Sequence, residues 1–188
     1  MTGQIPDAFI YKKKECAIVG LDGGPLFSPA DFGMDVRAPH TACWRGYVAT
    51  YTCLDSKLIL THLSVSTTTP MKLNNKPPVE DAKHFGFVYE DLGLKFPFTG
   101  TIIIARDFIN EMYVHMGFQS ASSFRDVHEL TFEKGVLLNE KDISQLMEKR
   151  RETLGKEPSK PPSPEELGGW IEDRFSLQIE KDAEENDQ

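Results

Sequence analysis

This chain is poor in most of the features that announce a chemistry. It has three cysteines in 188 residues, Cys16, Cys43 and Cys53, and no Cys-x-x-Cys pair. That excludes a structural zinc knuckle, and the odd count argues against a secreted disulfide framework. The thiols read as small hydrophobes in strand-like surroundings. No apolar run approaches the roughly 20 residues of a membrane-spanning helix. Positive charge is also scarce: 21 Lys and Arg stand against 29 Asp and Glu, a net charge of −8, so the basic stripe that phosphate-backbone binding requires is missing. There is no phosphate loop, dinucleotide fingerprint, calcium loop or Gly-x-Ser-x-Gly elbow, and Gly20-Leu21-Asp22-Gly23-Gly24 has neither the spacing nor the following helix of a nucleotide site. The expectation is a chain without cofactor or metal, with no nucleic-acid or membrane partner. Met1 to Asp7 carries no basic cluster leading into an apolar stretch, which points to a cytoplasmic location.

What is present is β-structure. Gly46 to His62 and Gly100 to Met116 share a layout of glycine, apolar or β-branched run, polar turn and second apolar run ending near a histidine, so each reads as a hairpin. Ala8 to Gly20 places two further apolar runs around Lys12-Lys13-Lys14, a solvated tip. Asp22-Gly23-Gly24-Pro25 then breaks the strand. In the run from Leu58 to Val65, the set Ile59, Thr61, Leu63 and Val65 is the better core face. Asp55-Ser56 and Glu133-Lys134-Gly135 are turn signals. Thr101 to Ala105 is apolar on both faces, as a covered central strand would be, with Met112 to Phe118, Leu130 to Phe132 and Val136 to Leu138 as its expected neighbours. Ser66 to Lys83 reads as a long loop.

The character changes at Asn139, which would cap a helix with acids in its first turn, bases in its last, an apolar stripe of Ile143, Leu146, Met147 and Leu154, and a stop at Gly155. The expected class is α+β and β-rich, an antiparallel hairpin-built sheet or sandwich with one or two C-terminal helices. It would span residues 8–155, followed by a proline-rich linker over 156–163 and an acidic tail over 164–188. Ser163-Pro164-Glu165-Glu166 is a second helix start, and Trp170 and Phe175 give the following segment an apolar face. From Pro164 to Gln188, nine acids against Arg174 and Lys181 hold −7 of the total charge of −8. The residues from Glu180 onward have the composition of a disordered end.

The densest group of reactive side chains is the loop Pro39 to Gly46. His40 and Cys43 have the types of a base and a nucleophile, with Arg45 beside them, although no glycine-rich oxyanion turn precedes the cysteine. Against that stand a buried structural thiol and an Arg45 held in an ion pair. His115, with His62 on the echoing hairpin, would converge only if strand ends met. His84 and His128 are isolated in sequence. The binding candidates are Trp44 and Arg45 in the loop and Trp170 and Phe175 in the tail, where a helix would dock either on its own sheet or on a partner. The expected function is a non-enzymatic intracellular protein-binding module. Its acidity would steer a basic partner, and a homodimer face remains a third use of the surface. The alternative is a small hydrolase or metal-dependent enzyme with a Cys/His pocket.

Overall fold

A computed structural model describes residues 2–81, 83–156, 163 and 165–179. Within them lie β1 (Ala8–Tyr11), β2 (Lys14–Asp22), β3 (Tyr47–Leu54), β4 (Lys57–Val65), β5 (Val79–Asp81), β6 (Gly86–Tyr89), β7 (Leu94–Lys95), β8 (Gly100–Phe108), β9 (Phe124–Glu133), β10 (Val136–Asp142), α1 (Ser144–Leu154) and α2 (Leu167–Phe175). The class is α+β and β-rich. The expected linker and the last part of the acidic tail, residues 157–162 and 180–188, fall outside the described residues.

Three two-residue turns build the hairpins. Lys12-Lys13, Asp55-Ser56 and Lys134-Gly135 all have positive φ at both central positions, the geometry whose twist matches that of paired strands. The hairpins join in the order β10-β9-β8-β2-β1-β3-β4, and the sheet then closes on itself. Lys57 pairs with Val136, Leu58 N–H donates to Gly135 O (2.8 Å), and Leu137 N–H donates to Ser56 O (2.7 Å). The result is a barrel of seven strands, with β7 and β6 on the remaining edge of β4 and β5 on β6. The sheet is not wholly antiparallel, because β1 and β3 run parallel. The connection between β2 and β3 folds over the barrel and buries Leu26, Phe27 and Met34 in its core.

Side chains alternate across each strand. Phe9, Ile18, Tyr51, Leu60, Ile102, Ile104, Leu130 and Phe132 fill the barrel, while Ile103, Ala105, Phe124 and Val127 pack outside it against Ile143 and Met147. Both faces of β8 are therefore covered, as its composition requires. Of its expected neighbours, residues 130–132 in β9 do pair with it, on the other edge it meets β2, residues 112–118 do not pair with it, and residues 136–138 in β10 pair with β9 instead. After β8, Asn110–Met112 forms a 3-10 turn. The Gln119 side-chain amide then takes the place of a strand partner, accepting from Val114 N–H (2.9 Å) and donating to Val114 O (2.8 Å). The second echoing hairpin thus does not form.

Three further expectations are corrected. In β4, Thr50 pairs with His62 and Tyr51 with Leu60, so Thr61 is an extra residue. This bulge reverses the alternation, and Leu58 and Leu60 face the core together with Leu63 and Val65. Asn139 does not cap α1. It pairs with Thr131 in β10, and pairing runs on to Asp142–His128, so the helix waits until Ser144, whose N–H donates to Asp142 Oδ1 (2.9 Å). Leu146 and Leu154 stay exposed, and only Ile143 and Met147 of the expected stripe are buried. Ser66 to Lys83 is not structureless either: Leu73 and Lys76 exchange backbone hydrogen bonds around Asn74-Asn75, and Leu73 is fully buried.

Phe9 is fully enclosed in the barrel core, so Phe9→Ala will lower stability by about 3–5 kcal/mol, read as a fall in the urea midpoint. At the barrel rim, Lys12 Nζ donates to Glu140 Oε1 (2.7 Å), and Tyr11 OH donates to the same oxygen. Lys12 first and Tyr11 second hold the Glu140 carboxyl below the usual range. Its contribution is present above the unfolded value and is lost as pH falls through the lower folded one. Glu140→Gln will therefore reduce the loss of stability on acidification below about pH 4.5, as followed by thermal melts at descending pH.

Candidate functional site

The loop before β3 is a pair of tight turns, with Cys43 N–H donating to His40 O (3.1 Å) and Gly46 N–H to Cys43 O (3.2 Å). Gly46 is required at its place. Its φ is +78°, and a Cβ there would lie 2.5 Å from Arg37 O. The turns bury the Cys43 thiol, which donates to Tyr47 O (3.3 Å), and burial pushes its pKa up, opposite to what a nucleophile needs. The His40 ring lies against Phe85, with centroids 5.8 Å apart. His115 is exposed beside Tyr113. His62 Nε2 lies 3.4 Å from Ser64 Oγ, His84 pairs with Asp81, and His128 Nε2 lies 2.8 Å from Asp126 Oδ1. The histidines occupy separate places. Among the described residues no three His, Cys, Asp or Glu groups gather to hold a metal ion.

Arg45 is held in an ion pair. Its Nη1 and Nη2 donate to the two oxygens of Asp7 (2.9 and 2.8 Å), and Ala49 N–H donates to Asp7 Oδ1 (2.8 Å). Burial would lower the guanidinium pKa, but the charge of Asp7 and its hydrogen bonds raise it. The same guanidinium lies over Tyr47 and Phe118. Beside it, Trp44 stacks on Phe175, with centroids 4.7 Å apart and planes at 20°, and Phe118 N–H donates to Arg174 O (2.8 Å). Arg174 in turn lies over Trp170. The four binding candidates Trp44, Arg45, Trp170 and Phe175 thus gather where α2 meets the barrel, and their contacts with one another are intramolecular.

A cleft of about 470 Å³ on the outer barrel face was not legible in the sequence. Strand register sets Thr50 beside Ala8, Ala8 beside Ala17 and Ala17 beside Ala105, with His62 beyond Thr50. Three alanines from three strands make a floor without side-chain bulk. Val48 and Ser64 stand along one side and Phe108 and Phe124 along the other. Glu15 and Asp107 are exposed in its lining. Asp107 has φ +60° and no partner in the pairing of β8 with β9. The other charges of the lining are engaged, Asp7 with Arg45 and Arg106 with Asp126. Among the described residues, Glu15 and Asp107 make no ion pair, and the carboxylates of the lining outnumber its arginine. Nothing local marks these residues, because the alanines are far apart in sequence and meet only through register.

In comparisons with known proteins, no family model, curated protein or solved structure matches the chain.

The enclosure of Cys43 sets an expected outcome. In the folded protein at pH 8 its thiol will react with Ellman's reagent far more slowly than after unfolding in guanidinium, and Cys43→Ser will leave the far-UV spectrum unchanged.

Proposed function

We propose that the protein is a non-enzymatic binding module that accepts a basic segment of a partner protein in the alanine-floored cleft. The observation that carries this reading is the pair of exposed carboxylates, Glu15 and Asp107, in a lining whose one arginine among the described residues is held by Asp126. Charge complementarity of this kind sets orientation and speeds encounter. The half-buried part of the floor, Ala8 and Ala17, admits a backbone close to the sheet. Phe108, half-buried at the rim, offers apolar surface to the methylene stems of lysine or arginine while their charged ends reach the carboxylates. Thr50, Ser64 and His62 add hydrogen-bonding groups at the other side.

A fluorescein-labelled Lys-Val-Lys-Val-Lys peptide tests the reading by fluorescence anisotropy. Exposed ion pairs are worth about 0.2–1 kcal/mol each, so reversing both charges in Glu15→Lys with Asp107→Lys will weaken binding by about tenfold or more. Added salt will weaken the wild type in the same direction. Glu90→Lys with Glu133→Lys, two exposed positions outside the cleft lining, makes the same change in net charge and will leave binding near the wild-type value, which separates the local effect from net charge. Absence of saturable binding, or equal binding by the wild type and the double variant, overturns the reading.

A further inference from the structure

β2 outruns its neighbour. β1 pairs only with Lys14–Ala17, so the edge of β2 beyond Ile18 that faces away from β8 needs another partner. The chain supplies one after α2. Leu21 N–H donates to Leu177 O (2.5 Å), Ile179 N–H donates to Leu21 O (3.0 Å), and Gln178 lies parallel to Leu21 as an added bridge. Phe175 stacks on Trp44, Leu177 packs on the barrel core and Ile179 packs on the outer cluster. Gly20 leaves room for both neighbours, since a Cβ there would lie 3.1 Å from Ile103 Cδ1 and 3.2 Å from Ile179 Cγ1. The strap therefore reads aromatic-x-aliphatic-x-aliphatic, the two-residue period of an added strand.

This intramolecular fit is incomplete. No residue of α2 is buried. A cleft of about 300 Å³ remains between the strap and a floor that includes Val19, Ile103 and Met147. Among the described residues, Trp170 Nε1 is buried without a hydrogen-bond acceptor, an arrangement that costs stability. We infer that the Gly20–Asp22 edge of β2 is a docking site for an extended segment of another polypeptide carrying the strap's own aromatic-x-aliphatic-x-aliphatic pattern and entering parallel to β2. The strap is its tethered occupant, and a partner segment that fills the cleft and meets the indole N–H displaces it. This edge is separate from the acidic cleft, and its ligand is chosen by backbone pairing and apolar side chains, not by charge.

The test is a labelled peptide of the Gly169–Ile179 sequence added to the full-length chain and to full-length Leu177→Asp/Ile179→Asp, whose own strap cannot seat. A tether gives the resident strap an effective concentration on the millimolar scale, so the double variant is expected to bind the peptide at least about tenfold more tightly than the wild type. A scrambled peptide should not bind, and adding Gly20→Val should abolish binding. A double variant with the wild-type far-UV spectrum that does not bind, or that binds no better than the wild type, overturns the inference. If the double variant does not fold, hydrogen exchange on the intact chain decides. Leu21 and Ile179 amides exchanging much faster than those of β8 support a displaceable strap, and exchange at the β8 rate overturns it.

Discussion

The buried pairing of Asp7 with Arg45 is the contact on which the arrangement around it depends. Asp7 lies just before β1, and its carboxylate receives two guanidinium donors and the Ala49 amide of β3, so it ties β1 to β3 where no hairpin can do so. A charge removed from water costs several kcal/mol and is stable only when its lone pairs are filled, a condition this carboxylate meets. The consequences run outward. Arg45, once fixed, supports Tyr47 and Phe118. Phe118 holds the carbonyl of Arg174, and the loop carrying Arg45 presents Trp44 to Phe175. One ion pair thereby joins the parallel strand pair, the loop after β8 and the strap.

Closure of the barrel is the second constraint. The edge of β4 opposite β3 meets β10, then β7, then β6 along its length, so that side is divided among short partners instead of standing open. A further stretch of sheet edge, at Gly20–Asp22, receives the strap. Open edges template association with other chains, and among the described residues this one is covered by the strap residues Leu177 to Ile179. The outer barrel face is likewise uneven. Where α1 lies, Val127 and Ile103 are covered. Along the alanine row, Ala105 is covered with that cluster, while Ala8 and Ala17 are only half-buried and the carboxylates of Glu15 and Asp107 stand at the margin. The two surfaces proposed for binding are thus the places where the barrel is left uncovered or thinly covered.

Local chemistry was readable wherever it acted within a few residues. The turns at Lys12-Lys13, Asp55-Ser56 and Lys134-Gly135, the double-sided burial of β8 and the helix stop at Gly155 all follow from short stretches. Readings failed where a distant partner outweighed the local signal. Asn139 has the chemistry of a cap, yet Thr131 recruits it into β10. Alternation in β4 is broken by a bulge opposite Thr50 and Tyr51. Residues 112–118 resemble a strand, but the barrel places β2 and β9 beside β8, and Gln119 satisfies Val114 instead.

By itself, the sequence determined that the chain builds strands from tight hairpins around an apolar interior and ends in an acidic segment with an aromatic face, because period-two alternation, turn geometry and charge are properties of neighbouring residues. Only the tertiary structure decided that β1 lies parallel to β3, that the sheet closes, that Ala8, Ala17 and Ala105 form one floor, and that Phe175 finds Trp44. These outcomes rest on register and on pairings between residues far apart along the chain, whose energies depend on what the rest of the fold brings beside them.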